Sequence, residues 1–430
     1  MYLDMKVGAG SSTINFDSKI LGIEGFKGIH DLPKLSVLVM EQGDTKFAIV
    51  SVEIVMLWDG FIERMRNAVA NVVDIPIENV WIHMTHAITT PHAPGGPLLG
   101  LGGDELKLTE EEQVKRNTEL GKRKLYEDTI FFALIDALKS IGELKDSKMF
   151  VGTSKCAVVK NRDIQTKNGW WIGTNGEGEV NDEMTVIGFK DLAGNNLCQM
   201  VCFGMKPCVI DNSEMDTGNR LISADAPGMM CRILEEKYGC PVLYITGAAG
   251  DIVPEKTAWF DRENAAGEIE TVDLGVKAGI EFAKEIADKM VKAADEAVSI
   301  GIEKECNELK ISETSYTWKT KGRTPMHPYK ELTFEPEGEK KVLVGVLALG
   351  DVAIVAGKPE INAVTGKQLA DRSEYKHTVY ASMINGGMKY MPDKKSYDEL
   401  HWEALSSMLM PGAAERFVEV ALEMLNRERG

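Results

Sequence analysis

Residues 35–42 read LSVLVMEQ and residues 47–57 read FAIVSVEIVML. Both are β-branched apolar runs, and the turn residues of QGDTK separate them, so the pair predicts two consecutive strands. The second run leads into FIERMRNAVANVV (61–73), whose apolar residues recur at helical spacing, and VWIHM (80–84) follows as another short apolar run. Strands alternating with a helix in this way are the rhythm of a layered α/β core.

Outward from this core the chain keeps the same grammar. A Gly-rich bend, APGGPLLGLGGDE (93–105), precedes a long segment from about Leu108 to Ile141 that is charged in its first half and apolar in its second. MFVGTSKCAVV, MTVIGF and QMVCFGM predict a strand-rich middle. Between them NGWWIGTNGEGEVNDE (168–183) reads as a candidate site loop, too long and too polar for a tight hairpin. ADAPGMMCRILEEKYG predicts a helix with Pro227 in its first turn and Gly239 just past its end, feeding the strand PVLYITG. GVKAGIEFAKEIADKMVKAADEAV predicts a long amphipathic helix, and ELKISETSYTW, KVLVGVLALG and VAIVAG predict strands. No repeat period appears, so residues 1–430 read as a single domain with one weak internal boundary near Ser299 to Glu305.

Composition narrows the function. With 49 Lys+Arg against 66 Asp+Glu, the chain carries a formal charge of −17, which repels phosphate backbones; no basic stripe offsets it, so nucleic acid is excluded as a partner. No apolar run of about 18 residues and no basic-then-apolar leader occurs, so no spanning helix is predicted and the expected location is the cytoplasm. Seven cysteines, an odd number without metal-ligand spacing, fit a reduced compartment. The expected partner is a small-molecule substrate, without membrane, and a homo-oligomer is left open.

Three of the seven histidines, His83, His86 and His92, fall at the end of VWIHM and on the loop after it. Two imidazoles on a loop can meet at one point, but zinc wants at least three protein ligands, so metal and acid–base readings both stay open. Thr246-Gly247-Ala248-Ala249-Gly250-Asp251 is a glycine-rich turn after a strand with a carboxylate at its tip, and it lacks the phosphate-loop Lys-Ser/Thr pair. Asn161-Arg162, Asp225, Lys206 and Gly357-Lys358-Pro359-Glu360 each end a strand or open a helix. Such positions converge on ligand sites in α/β sheets.

Taken together, these segments resemble the neutral/alkaline non-lysosomal ceramidase family. Gly28-Ile29-His30-Asp31, followed by two strands with Glu53 after the second, is similar to the family's opening, and THAITTPHAPGG to its Thr-His-Thr-His motif. Asn161-Arg162, NRLISADAPG, GAAGDIVPE and the closing MINGGMKYMPDKKSYDELHWE are similar to four further motifs in order. The resemblance implies an α/β mixed strand–helix layered domain of the ceramidase main-domain type, without the family's C-terminal immunoglobulin-like domain.

In the ceramidases a zinc is held by two His, a Glu and a Tyr. Where the second His is expected this chain reads Met205-Lys206-Pro207, and where the Glu is expected it reads Gly357-Lys358-Pro359, with an alternative register that leaves Glu360 as the ligand. Val253 stands where the ceramidases have a serine, and Gly387 where the first closing tyrosine falls, leaving Tyr390. Lysines in a cavity that lost a divalent ion make an anion site. The expectation is therefore an enzyme using His86, His92, Lys206, Lys358 and Asp251 on a polar anionic or carbonyl substrate held by Asn161, Arg162, Tyr390, Asp225 and Glu53, with no cofactor. Two alternatives stand beside it: a zinc-dependent amidase with His86, His92 and Glu360 as ligands, and a noncatalytic ligand-binding or scaffold subunit.

Overall fold

The computed structural model describes residues 5–92, 109–213, 217–218, 220–304, 308–322 and 324–429. The Gly-rich bend, Leu108, Asn219, Glu305 and Cys306 lie outside the described residues.

A large mixed sheet runs in the order Val242–Thr246, Asn196–Phe203, Glu183–Asp191, Lys145–Lys155, Met5–Thr13, Lys34–Gln42, Thr45–Val52, Val80–Met84. Its two outermost pairs are parallel and the pairs between them antiparallel. A second sheet of four strands follows, Leu309–Lys321, Pro336–Leu349, Val352–Ala356 and His377–Ala381.

The run LSVLV lacks polar alternation because both of its faces are covered. Val37 and Val39 point into an apolar cluster with helices Asp59–Val73 and Glu110–Ser140, while Leu38 and Met40 point the other way, into a cluster shared with Leu347, Leu349, Val352 and Ile354 of the second sheet. The second sheet repeats this logic, with Val344, Val346 and Val355 facing helix Ala413–Arg429. The result is four layers, helices, sheet, sheet, helices. The chain after Ile300 enters this stack through the apolar layer that the two sheets share, and strand Ile302–Lys304 pairs with Lys145–Lys155.

The predicted helices at Asp225–Tyr238 and Gly275–Ile300 are present. The predicted site loop 168–183 is different: Gly169–Asn175 is a strand paired with Val159–Thr166, and these two join Ile252–Pro254 in a small antiparallel sheet. Lys167-Asn168 forms a tight turn permitted by Gly169 at φ 125°, and Trp170 and Trp171 then pair across to Gln165 and Ile164 as aromatic side chains do in sheets. Among the described residues, no helix is long and apolar enough to cross a membrane, and the six described cysteines are buried and free.

The large sheet curls until its two edge strands meet. The Thr246 backbone N–H donates to His83 Nε2 at 3.0 Å, and His83 Nδ1 lies 2.8 Å from the Ser382 carbonyl. An amide can only donate, so Nδ1 carries the imidazole proton. Burial pushes His83 down to about 4. His83 is thus a neutral strut tying both edges of the first sheet to the second.

Candidate functional site

Loops that follow strands Val80–Met84, Asn196–Phe203 and Val352–Ala356 converge beside this strut. His86 sits at φ 61°, a left-handed conformation that side chains adopt at a cost. Its loop is stitched to the Lys206 loop by the Ile88 N–H donating to the Pro207 carbonyl at 3.0 Å. Glu360 and Tyr390 are neighbours in a short parallel bridge, Glu360–Ile361 against Tyr390–Met391, and the Glu360 N–H donates to the Lys389 carbonyl at 2.8 Å.

These three loops, with the segment after strand His377–Ala381 that carries Tyr390, bring four side chains together. His86 Nδ1 lies 2.9 Å from Glu360 Oε1, Lys206 Nζ 3.7 Å from Glu360 Oε2, and Lys206 Nζ 3.5 Å from the Tyr390 hydroxyl. Lys206 is 3% exposed and Glu360 2%. Burial alone would raise the Glu360 carboxyl, but the His86 imidazole and the Lys206 amine outweigh it and hold it at about 2. Lys206 is pushed below its ordinary value by burial and by the Arg162 guanidinium, against the pull of Glu360. The His86 Nδ1 and Glu360 Oε1 atoms face each other closely but are poorly aligned for a hydrogen bond.

Behind Tyr390 lies a second charged group. Arg162 Nε donates to Glu403 Oε1 at 2.5 Å, and its guanidinium sits 5.1 Å from the Tyr390 ring and 4.8 Å from that of Trp402. Asp163 Oδ2 is 3.0 Å from His401 Nδ1, whose ring packs at a tilt against Trp170. Burial and the Glu403 carboxylate lift Asp163 to about 7, while Asp163 overcomes the burial of His401 and lifts it to about 9. Asp163, His401 and Glu403 place one ligand atom each within 4.8 Å of one another. Arg162 pairs with Glu403, and His401 lies between Asp163 and Glu399, whose Oε2 is 2.9 Å from its Nε2.

Two cavities flank Tyr390, Trp402 and Met326, which line both. One, of about 540 Å³, is bordered by His86, His92, Glu360, four lysines and several methionines. The other, of about 440 Å³, is bordered by Arg162, Lys206, Trp171, Trp259 and Phe260.

Several predicted residues sit elsewhere. Lys358, expected inside, lies on the rim, its side chain 25% exposed and 3.8 Å from Asp59, because the carboxylate two residues on turns inward in its place. His92 lines the mouth of the first cavity but gives both its backbone N–H and Nδ1 to Glu24 Oε2, at 3.0 and 2.9 Å, so it does not join His86. Asp251 is a brace, accepting from Ala363 N–H at 2.8 Å and Asn161 Nδ2 at 3.2 Å, with burial raising it to about 7. Asn161 serves the same brace and lines neither cavity. Asp225, raised to about 6 by burial, accepts from the Val209 and Ile210 amides and so anchors the Lys206 loop from outside. Glu53 pairs with Arg232 at 2.5 Å, away from both cavities.

The whole arrangement can be set beside known proteins. No protein-family model and no curated protein matches the sequence. Solved structures do: a neutral ceramidase from Pseudomonas aeruginosa superposes with a TM-score of 0.71 at 14% identity, over 99% of this chain and 75% of that one. A ceramidase complexed with C2 gives the same score and identity, over 99% of this chain and 76% of that one. The fold is that of neutral ceramidase. At this identity the likeness extends to the fold alone.

The ceramidase resemblance implies a zinc, and the residues present do not fit one. His86, Glu360 and Tyr390 offer donors, but the corner where the second His would stand holds the amine of Lys206, which as an ammonium has no lone pair and repels a divalent ion, and His92 is committed to Glu24. Among the described residues, His86 and Glu360 gain no third His, Cys, Asp or Glu ligand atom within 4.8 Å.

Asp163, His401 and Glu403 were missed in the sequence, although Asp163 directly follows Asn161-Arg162 and His401-Trp402-Glu403 closes the last quoted motif. Three charged residues clustered at motif ends were the available signal.

Proposed function

We propose that this chain is an enzyme that cleaves a small acyl compound, an amide or ester carrying an anionic group, by lysine and histidine acid–base chemistry in place of zinc. One observation carries this reading: a buried lysine amine set against a carboxylate and a phenol, 3.7 and 3.5 Å away, with an imidazole on the carboxylate's other side.

The chemistry follows from the charges. The Glu360 and His86 pair takes a proton from an attacking water whose oxygen bonds to the substrate carbonyl carbon. The carbonyl oxygen gains negative charge, and the Lys206 ammonium with the Tyr390 hydroxyl meets it. The tetrahedral species then expels an amine or alcohol, which takes the proton back from His86. Lys206 supplies the positive charge that a divalent ion would otherwise provide at that corner.

The test is a panel of acyl amides and esters bearing carboxylate or phosphate, followed by mass spectrometry, with metal analysis of the same preparation. Lys206→Met and Glu360→Gln should each lower kcat by ~10²–10³-fold, the size of one lost oxyanion donor. Full turnover by Lys206→Met, or stoichiometric zinc in the active protein, would overturn the reading. No turnover by the wild type across the panel would favour the noncatalytic binding alternative.

A further inference from the structure

The first cavity contradicts the charge of the protein around it. A chain with 66 acidic and 49 basic residues leaves a surplus of carboxylates, yet Lys321, Lys340, Lys358 and Lys389 line this one space and Glu360 is the carboxylate among its described lining residues. Lys358 faces Asp59 at 3.8 Å. The other three have no acidic partner within 4.0 Å among the described residues. Lys321 is buried, and its amine gives its hydrogen bonds to neutral groups, the Leu405 carbonyl at 3.0 Å and Thr324 Oγ1 at 3.2 Å, above the Phe334 ring.

Lys321 and Lys340 lie on the paired strands Leu309–Lys321 and Pro336–Leu349, and Lys358 and Lys389 come from two further segments, so tertiary folding gathers them. Their mutual repulsion works against the fold unless something offsets it. The segment that presents Lys389 is also held at a cost: Met383, Asn385 and Lys389 have φ of 51°, 54° and 50°, left-handed values that side chains adopt only where surroundings impose them. That same segment delivers Tyr390 to the reacting centre, so the presentation of the lysine and the placement of the phenol are one conformation. A volume of about 540 Å³ suits a small molecule and is far below what a polymer needs.

We propose that this chamber binds the anionic end of the ligand, a compact group carrying two or more negative charges, either a phosphate ester or a polycarboxylate. Lys321, Lys340 and Lys389 are its recognition residues, and the neutral remainder of the molecule points toward Tyr390. The position of the reacting group rests on the acid–base reading above; the binding of the anion does not.

Calorimetric titration of the full-length protein separates the two. Inorganic pyrophosphate and citrate are the probes, at low ionic strength and again with added salt. Saturable binding of either is expected, weakened by salt. Lys389→Met and Lys340→Met, both at exposed positions, should each weaken it roughly tenfold, the size of one lost charge-assisted contact. Lys321→Met should do the same where it folds, as judged by circular dichroism. Preference for pyrophosphate assigns a phosphate ester, and preference for citrate a polycarboxylate. Lys206→Met should keep anion binding within about threefold of wild type, so a failed catalytic reading leaves this result standing. Absence of binding by both probes, or binding that Lys389→Met and Lys340→Met leave unchanged, overturns the proposal.

Discussion

The two cavities on either side of Tyr390 and Trp402 are built on opposite principles. The larger is walled by methionines and by lysines whose charges are mostly unanswered; the smaller is walled by aromatic rings and by an arginine already matched to Glu403. In the first, charge awaits something from outside. In the second, the arginine is held by Glu403 and keeps the wall in shape, and Lys206, facing Glu360, is the amine directed at the reacting centre. Similar volumes therefore say little about role, and the state of the charges says more.

The largest expected effect lies in the aromatic cavity. Arg162→Met would leave Glu403, 0% exposed, as an unpaired buried carboxylate, and should destabilise the protein by ~3–5 kcal/mol in urea unfolding. Adding Glu403→Gln should recover a good part of this; no recovery would mean that the guanidinium acts through its packing on Tyr390 and Trp402.

Glu360, on the lysine side, gives the next effect. Its carboxyl is held at about 2 in the folded chain against an ordinary 4.5. A depressed carboxyl stabilises the fold above pH ~4.5 and loses that contribution as pH falls toward ~2, a loss of about 3 kcal/mol. Unfolding midpoints across this window should show Glu360→Gln with a flatter acid slope than wild type.

Lys321 titrates in the opposite direction. Burial, aided by Lys389, lowers it to about 8 from 10.5. Between about pH 8 and 10.5 the unfolded chain then binds more protons, so stability from this group rises with pH. Lys321→Met should remove that rise, and an unchanged alkaline slope would show its charge to be answered after all. The smallest effect is at the exposed Lys389, where replacement by Met should move stability by no more than ~0.5 kcal/mol while weakening anion binding. A large stability change there would make the lysine wall structural and erase the contrast between the cavities.

How far the site could be read from the sequence depends on the residue. His86 announced itself by clustering with His83 and His92, but the same signal promoted His83, whose two ring nitrogens are both satisfied by backbone groups, and His92, which is bound to Glu24. Lys206 was found through the departure of Met205-Lys206-Pro207 from a motif, and it is buried. Lys358 was found in the same way and sits at the rim, since Glu360 two positions later takes the inward place. A two-residue step along the chain carries a side chain from solvent to cavity there, and motif matching cannot resolve it.

By itself the sequence determined the layering, because apolar periodicity is a local property: LSVLV without alternation requires a strand covered on both faces, and the capped and amphipathic runs require helices. It also determined that histidines would stand at a strand end. Only the tertiary structure decided which amine would be buried against a carboxylate, that Asp225 and Asp251 would brace loops, and that Lys321 and Lys340 of one strand pair would share a cavity with Lys358 and Lys389. Whether a charge is answered depends on what folding brings within a few ångströms of it, and residues far apart in the chain hold no local record of that.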